Sequence, residues 1–183
     1  MTMALRAALI TAALATAAPS VTCAAGGDAP HPASTSVGVR AGSGDNVDSV
    51  TLYLRRGAPW VQRHIVDAYL PEGVNAHWEA MASHWGGSGD DTHLAALGPV
   101  LTYQWPGQPI LLSTGVQPSV LSDSTAAGHD LGGHMQFTSH IAVGWRPLPA
   151  FHVAVRAQHT SNADLYEENP GVDIVSLELA YHF

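Results

Sequence analysis

Charge is what this sequence has least of. Only 12% of its 183 residues are Asp, Glu, Lys or Arg, about half the share in a typical soluble domain. Lys and Arg total seven against fifteen Asp and Glu, a formal net charge of -8. That balance argues against a nucleic-acid binder, which needs a basic stripe. Cysteine is almost absent as well: Cys23 stands alone, so no intrachain disulfide can form. Nowhere does the chain offer the roughly 18 consecutive apolar residues of a spanning helix. Disorder is excluded too, because hydrophobic residues make up 46% and charge runs are missing. A single domain of this length, poor in charge and rich in apolar residues, suits a surface that faces lipid.

The N-terminus reads as a secretory signal. Met1–Arg6 supplies a small positive region and Ala7–Ala18 a short apolar one, so residues 1–25 are expected to be a leader with cleavage between 18 and 25. Cys23 falls in or beside it, behind Ser20-Val21-Thr22, a poor lipoprotein cleavage box.

Residues 34–183 are expected to form one all-β domain, an eight-stranded antiparallel transmembrane β-barrel. Alternating segments run near Thr35–Ala41, Asp48–Arg56, Val74–His84, Leu94–Trp105, Ile110–Leu121, His134–Arg146, Phe151–Thr160 and Val172–His182. Breaker-rich stretches separate them, among them Gly42–Asp45, Pro106-Gly107, Ser122–Gly133 and Pro147–Pro149. Gly57–Gly73 either begins the third strand or packs as a plug, and no useful helical period appears beyond the leader. Met135, Phe137, Ile141, Val143 and Trp145 form an apolar row opposite Gln136, Thr138, His140 and Arg146. Leu97, Leu101, Tyr103 and Trp105 form another, its aromatics toward a tight turn as an interfacial girdle. Apolar-out, polar-in alternation, with short turns at one end and long loops at the other, is the pattern of outer-membrane barrels. A soluble lipocalin-like barrel would reverse it, with charged rows toward water. The closing Leu177, Leu179, Tyr181 and Phe183 resemble the C-terminal signature of bacterial outer-membrane proteins.

Three polar residues interrupt this scheme. Phe151, Val153, Val155 and Ala157 share a strand face with His159 and Ser161; Val175, Leu177 and Leu179 share one with Asp173. With both termini periplasmic, the trio sits at the outward rim, facing outer-leaflet lipid, where ionisable groups are costly unless paired. A serine hydroxyl becomes a nucleophile when an imidazole accepts its proton and a carboxylate steadies that imidazole. Residues two apart on one face have side-chain bases about 6–7 Å apart, and a cross-strand partner arrives within about 5 Å. Asn162 and the backbone N–H of Ala163 are the nearest donors for an oxyanion. By themselves these residues fit either an esterase or polar caps on a barrel rim.

His159-Thr160-Ser161-Asn162-Ala163, followed by Asn169-Pro170-Gly171-Val172-Asp173 and a closing strand, resembles the lipid A 3-O-deacylases of the PagL type. The likeness is tight over about twenty-five residues and holds elsewhere at the level of strand order. It implies an outer-membrane serine esterase that removes the ester-linked 3-hydroxyacyl chain at position 3 of lipid A. Residue by residue it implies Ser161 as nucleophile, His159 as general base, Asp173 as acid, and Asn162 forming or supporting the oxyanion hole. Its partner is lipopolysaccharide in the outer leaflet; a homodimer is compatible, and no metal or organic cofactor is needed. The family usually carries glutamate where this chain has Asp173, whose reach is about 1.5 Å shorter. Glu167 and Glu168 are alternative acids from the loop, but only Asp173 has the register and the face.

The other constellations are weaker. Among eleven histidines, His77, His84, His93, His129, His134 and His140 show no metal-ligand spacing, and His129-Asp130 would hold at most an adventitious ion. Asn75, His77 and Glu79 read as lumen groups, Ala76 and Trp78 as a lipid row. The rival readings are a non-enzymatic small outer-membrane barrel and an envelope esterase acting on phospholipid.

Overall fold

The computed structural model describes residues 35–87, 91–126 and 128–183. The leader expected over residues 1–25, Cys23 included, lies outside these residues. Eight long strands follow from the alternating rows: β1 (Thr35–Gly44), β2 (Val47–Gly57), β3 (Val74–Gly87), β4 (Thr92–Gln104) and β5 (Ile110–Leu121) come first. Two-residue strands β6 (Thr125–Ala126) and β7 (His129–Asp130) then pair inside a loop, before β8 (Met135–Leu148), β9 (Phe151–Ser161) and β10 (Val172–His182). The long strands close a barrel in the order β1-β10-β9-β8-β5-β4-β3-β2, every pair antiparallel. Closure leaves no edge, which is the condition for backbone to cross a bilayer in strands. The two ends of the described barrel meet, with the Thr35 N–H donating to Phe183 O at 3.2 Å and the Phe183 N–H to Thr35 O at 2.9 Å.

The faces sort as the period-2 reading expects. Leu52, Leu54, Leu97, Ile141, Val143, Val155, Val175, Leu177 and Leu179 point outward and are exposed, whereas Thr51, Ser113, Gln117, Gln136, Thr138 and Thr160 are buried inside. A soluble barrel would invert this. Trp78, Trp105, Trp145, Phe151, Tyr181 and Phe183 cluster on the outer wall toward the end that holds the termini, the position of an interfacial girdle.

The lumen is filled and more charged than the polar rows suggest. Glu79 accepts from Arg40 at 2.7 Å and from Arg55 at 2.6 Å, while Glu178 pairs with Arg40 at 2.5 Å and with His152 Nε2 at 2.8 Å. The Arg40 guanidinium also lies 3.8 Å above the Tyr53 ring. Toward the other end, Val47, Trp85, Leu94, Leu121, Leu131, Val172 and Ile174 pack into an apolar core that seals the interior.

Three local expectations change. Gly42 to Gly44 are not a turn but the end of β1, and the turn is Asp45-Asn46, with φ of 46° and 63°. Two left-handed residues between antiparallel strands make the primed turn whose twist matches a hairpin. Gly57–Gly73 is neither a strand start nor a lumen plug. Pro59–Val61, Gln62–Val66 and Asp67–Tyr69 form one short helical segment with a π-helical middle, despite the absence of a long helical period. Its Val61 and Val66 pack with Ala58, Ala76 and Leu101. Ala76 and Leu101 are partners on the outward rows of β3 and β4, so the segment lies against the outer wall. Ala76 is therefore covered by protein rather than lipid. Gln62 completes the attachment where β2 has ended, its Oε1 accepting from Ala76 N at 2.7 Å and its Nε2 donating to Val74 O at 3.1 Å.

Candidate active site

The end of the barrel away from the termini carries the β1–β2 turn and the β3–β4, β5–β8 and β9–β10 loops. His159, near the end of β9, and Asp173, near the start of β10, are register partners in the β9–β10 ladder. Both side chains point outward, 48% and 74% exposed, away from the lumen. His159 Nδ1 and Asp173 Oδ1 are 2.7 Å apart, a hydrogen bond that sets the Nδ1–H tautomer and leaves Nε2 as the acceptor. The carboxylate that meets His159 is thus Asp173, and neither Glu167 nor Glu168. Its short side chain reaches because register, not loop flexibility, brings the two strands together. Ser161 follows His159 by two residues on the same row and is half-buried.

Glycine shapes the ring's surroundings. Gly171 has φ of +71°, and a Cβ there would lie 2.7 Å from His159 Cε1. The position needs both the left-handed backbone and the missing methyl.

Asn162 and Ala163 divide differently from the expected pair of donors. Asn162 turns inward and is fully buried. Its Nδ2 donates to Leu131 O at 2.9 Å and to Glu168 O at 2.6 Å, and its backbone N–H donates to Asn169 Oδ1 at 3.0 Å. Every N–H of Asn162 has an acceptor, so it ties the β5–β8 loop to the β9–β10 loop rather than offering a proton to substrate. Ala163 stays exposed at the surface with φ of 52°, followed by Asp164 at 62°. Consecutive left-handed residues turn the chain sharply beside Ser161.

Two neighbours escape period-based reading because they arrive from other strands. Ser139 on β8 is the register partner of His159 on the side opposite Asp173, and its Oγ donates to His159 O at 3.4 Å. Asp45, at the tip of the β1–β2 turn, accepts from the Asp173 N–H through Oδ2 at 2.7 Å. No local signal marks either residue; a pairing map would have found both.

A groove of about 570 Å³ runs along the outer wall past His159 and Asp173, floored by Gly44, Gly115, Ser139 and Ala157. Small outward side chains on four strands, Ser43, Thr114, Ser139 and Ala157, recess the wall there, between taller apolar neighbours such as Val116, Ile141 and Val175. The rim around it is acidic. Asp45, Asp48, Asp91, Asp130, Asp164, Glu167 and Glu168 lie on the turns, loops and strand ends at this end of the barrel. Asp123 joins them, its carboxyl held below the usual range by the Thr125 backbone N–H and hydroxyl. The chain has no lysine. Among the described arginines, Arg40, Arg55 and Arg156 are buried in the lumen, and Arg56, Arg63 and Arg146 lie toward the opposite end.

A nucleophile candidate, an imidazole held by a carboxylate and an apolar groove on a lipid-facing wall are the parts of an acyl-ester hydrolase that works from within a membrane. Comparison with known proteins agrees. The lipid A deacylase PagL of Bordetella bronchiseptica is 28% identical over 163 residues, covering 84% of this chain and 86% of its own. Its namesake from Pseudomonas aeruginosa is 29% identical over 108 residues, covering 57% and 62%. The crystal structure of the outer membrane enzyme PagL superposes with a TM-score of 0.63 at 22% identity, over 79% of this chain and 97% of that one, a likeness of fold. The model of the family described as lipid A 3-O-deacylase (PagL) matches residues 48–182, nearly the whole barrel. The chain therefore belongs to the lipid A 3-O-deacylase (PagL) family, outer-membrane β-barrel enzymes.

Proposed function

We propose that this chain hydrolyses the ester-linked acyl chain at position 3 of lipid A by a serine-esterase mechanism, with Ser161, His159 and Asp173 as its working residues. The observation that carries the reading is the His159–Asp173 hydrogen bond, set outward on the lipid-facing wall and beside an apolar groove. A pair serving only as a polar rim cap would not need the wall recessed next to it. Family membership supports the substrate class, and the geometry supports the chemistry.

With the termini on the periplasmic side, the site opens at the outer leaflet, where lipid A arrives by lateral diffusion. The acyl chain lies along the groove and brings its ester to the end of β9. His159 Nε2 takes the Ser161 proton as Oγ bonds to the ester carbon, and Asp173 stabilises the imidazolium. The backbone N–H of Ala163 stands beside the developing oxyanion. Collapse breaks the bond from carbon to the sugar oxygen, which leaves with the proton from His159. Water, deprotonated by the same imidazole, then attacks the acyl-enzyme and releases the 3-hydroxy fatty acid and free Ser161.

Expression in an outer membrane that lacks such an activity, followed by mass spectrometry of lipid A, tests the proposal. Loss of one 3-hydroxyacyl group that disappears with Ser161→Ala is the expected result. Unchanged lipid A from a folded, inserted barrel overturns it, and acyl release from phospholipid instead would reassign the substrate.

A further inference from the structure

We propose that Asp45 is a positioning residue for Asp173, holding in place an acid whose side chain is too short to adjust for itself. The inference rests on the esterase reading above. The β1–β10 ladder ends at the pair Ser43 and Val175. Beyond it β1 passes through Gly44 into the Asp45-Asn46 turn, so no strand backbone continues alongside Asp173. The Asp45 carboxylate fills that place, accepting the Asp173 N–H at 2.7 Å across 128 positions of sequence. Gly44 brings the turn close enough: a Cβ there would lie 2.0 Å from Asp173 O. Asp173 is thereby gripped on one side by its register with His159 and on the other by this turn.

The reason lies in side-chain length. A glutamate can find an imidazole by adjusting an extra torsion, so its backbone need not be placed closely. An aspartate carboxylate follows its Cα almost rigidly, and a backbone shift moves it off the imidazole by a similar distance. A displacement near 1 Å in a catalytic constellation can cost on the order of 100-fold in rate. Holding the Asp173 backbone is therefore worth more here than it would be for glutamate.

The test uses the full-length barrel refolded in detergent and measures release of the 3-hydroxy fatty acid from lipid A. Heat-modifiable mobility on gels checks that each variant is folded. Asp45→Ala is expected to lower kcat about 10- to 100-fold with KM changed less than about twofold, because Asp45 meets the groove only at its turn end and the apolar walls stay in place. Asp45→Asn keeps an acceptor oxygen and is expected to retain most of the activity. Asp173→Glu placed on Asp45→Ala is expected to recover activity, since the longer acid no longer depends on the anchor, so the two changes are non-additive. A folded Asp45→Ala barrel with wild-type kcat overturns the proposal. So does a loss that neither Asp45→Asn nor the added Asp173→Glu relieves, which would make Asp45 a plain edge cap. Absence of any Ser161-dependent release would sink the esterase reading itself and this inference with it. Ser161-dependent release indifferent to Asp45→Ala sinks the inference alone.

Discussion

Gly171 packs so close to the His159 ring that no methyl group fits between them. A Cβ on residue 171 would sit 2.7 Å from His159 Cε1, on a backbone already at φ of +71°. Gly171→Ala must either push the imidazole away from Asp173 or unwind the left-handed turn, at a cost of about 1–2 kcal/mol. Deacylase activity is expected to fall on the order of 100-fold while the barrel still folds. Steady-state assays with a gel-mobility check measure both.

Ser161 and Ser139 flank His159 from two directions, one along its strand and one across the ladder. A fluorophosphonate reagent should modify Ser161 and not Ser139, and His159→Ala should abolish labelling. Peptide mass spectrometry reads the site directly; adduct on Ser139 would move the nucleophile to β8.

The acidic, lysine-free rim meets a substrate that carries phosphate groups. Like charges raise the cost of encounter, and ions screen it with a Debye length of about 8 Å at physiological ionic strength. KM for phosphorylated lipid A should therefore fall as salt is added, with kcat little changed, and dephosphorylated lipid A should show a much flatter salt dependence. A KM that rises with salt would mean that cationic groups hold the substrate.

Glu79 neutralises Arg40 and Arg55 inside the lumen at 2.7 and 2.6 Å. Glu79→Gln leaves three buried guanidiniums, those of Arg40, Arg55 and Arg156, to share Glu178, and removing one partner of a buried pair costs about 3–5 kcal/mol. Denaturant unfolding in detergent should show a loss of that order. The site lies outside the lumen, so the folded fraction should keep its kcat.

The short helical segment lies against the outer wall with Trp60 67% and Tyr69 81% exposed. Amphipathic aromatics on that wall belong at headgroup level. Brominated phospholipids should quench the part of the fluorescence that Trp60→Phe removes. Quenching of that part by aqueous acrylamide alone would place the segment in water.

Much of this is legible in the sequence. Rows such as Val153, Val155, Ala157 and His159, or Leu177, Leu179 and Tyr181, carry their facing in a period of two, because strand side chains alternate whatever else surrounds them. That a polar trio ends two apolar rows was visible for the same reason. The helical segment was not, since three short helical turns have too few residues to show a period, and packing of Val66 on Ala76 stabilises what propensity alone does not.

The amino-acid order alone determined the barrel, its inside-out polarity and the outward face of His159, Ser161 and Asp173, all consequences of alternation along single strands. Register decided the rest. Pairing of β9 with β10 brought Asp173 to His159, pairing of β9 with β8 brought Ser139 to its other side, and closure of β1 on β10 carried Asp45 to the Asp173 amide. Asn162, which sequence placed beside the oxyanion, was turned inward by the loop it ties. Contacts between residues distant in sequence depend on how strands slide against one another, and only the closed barrel settles that.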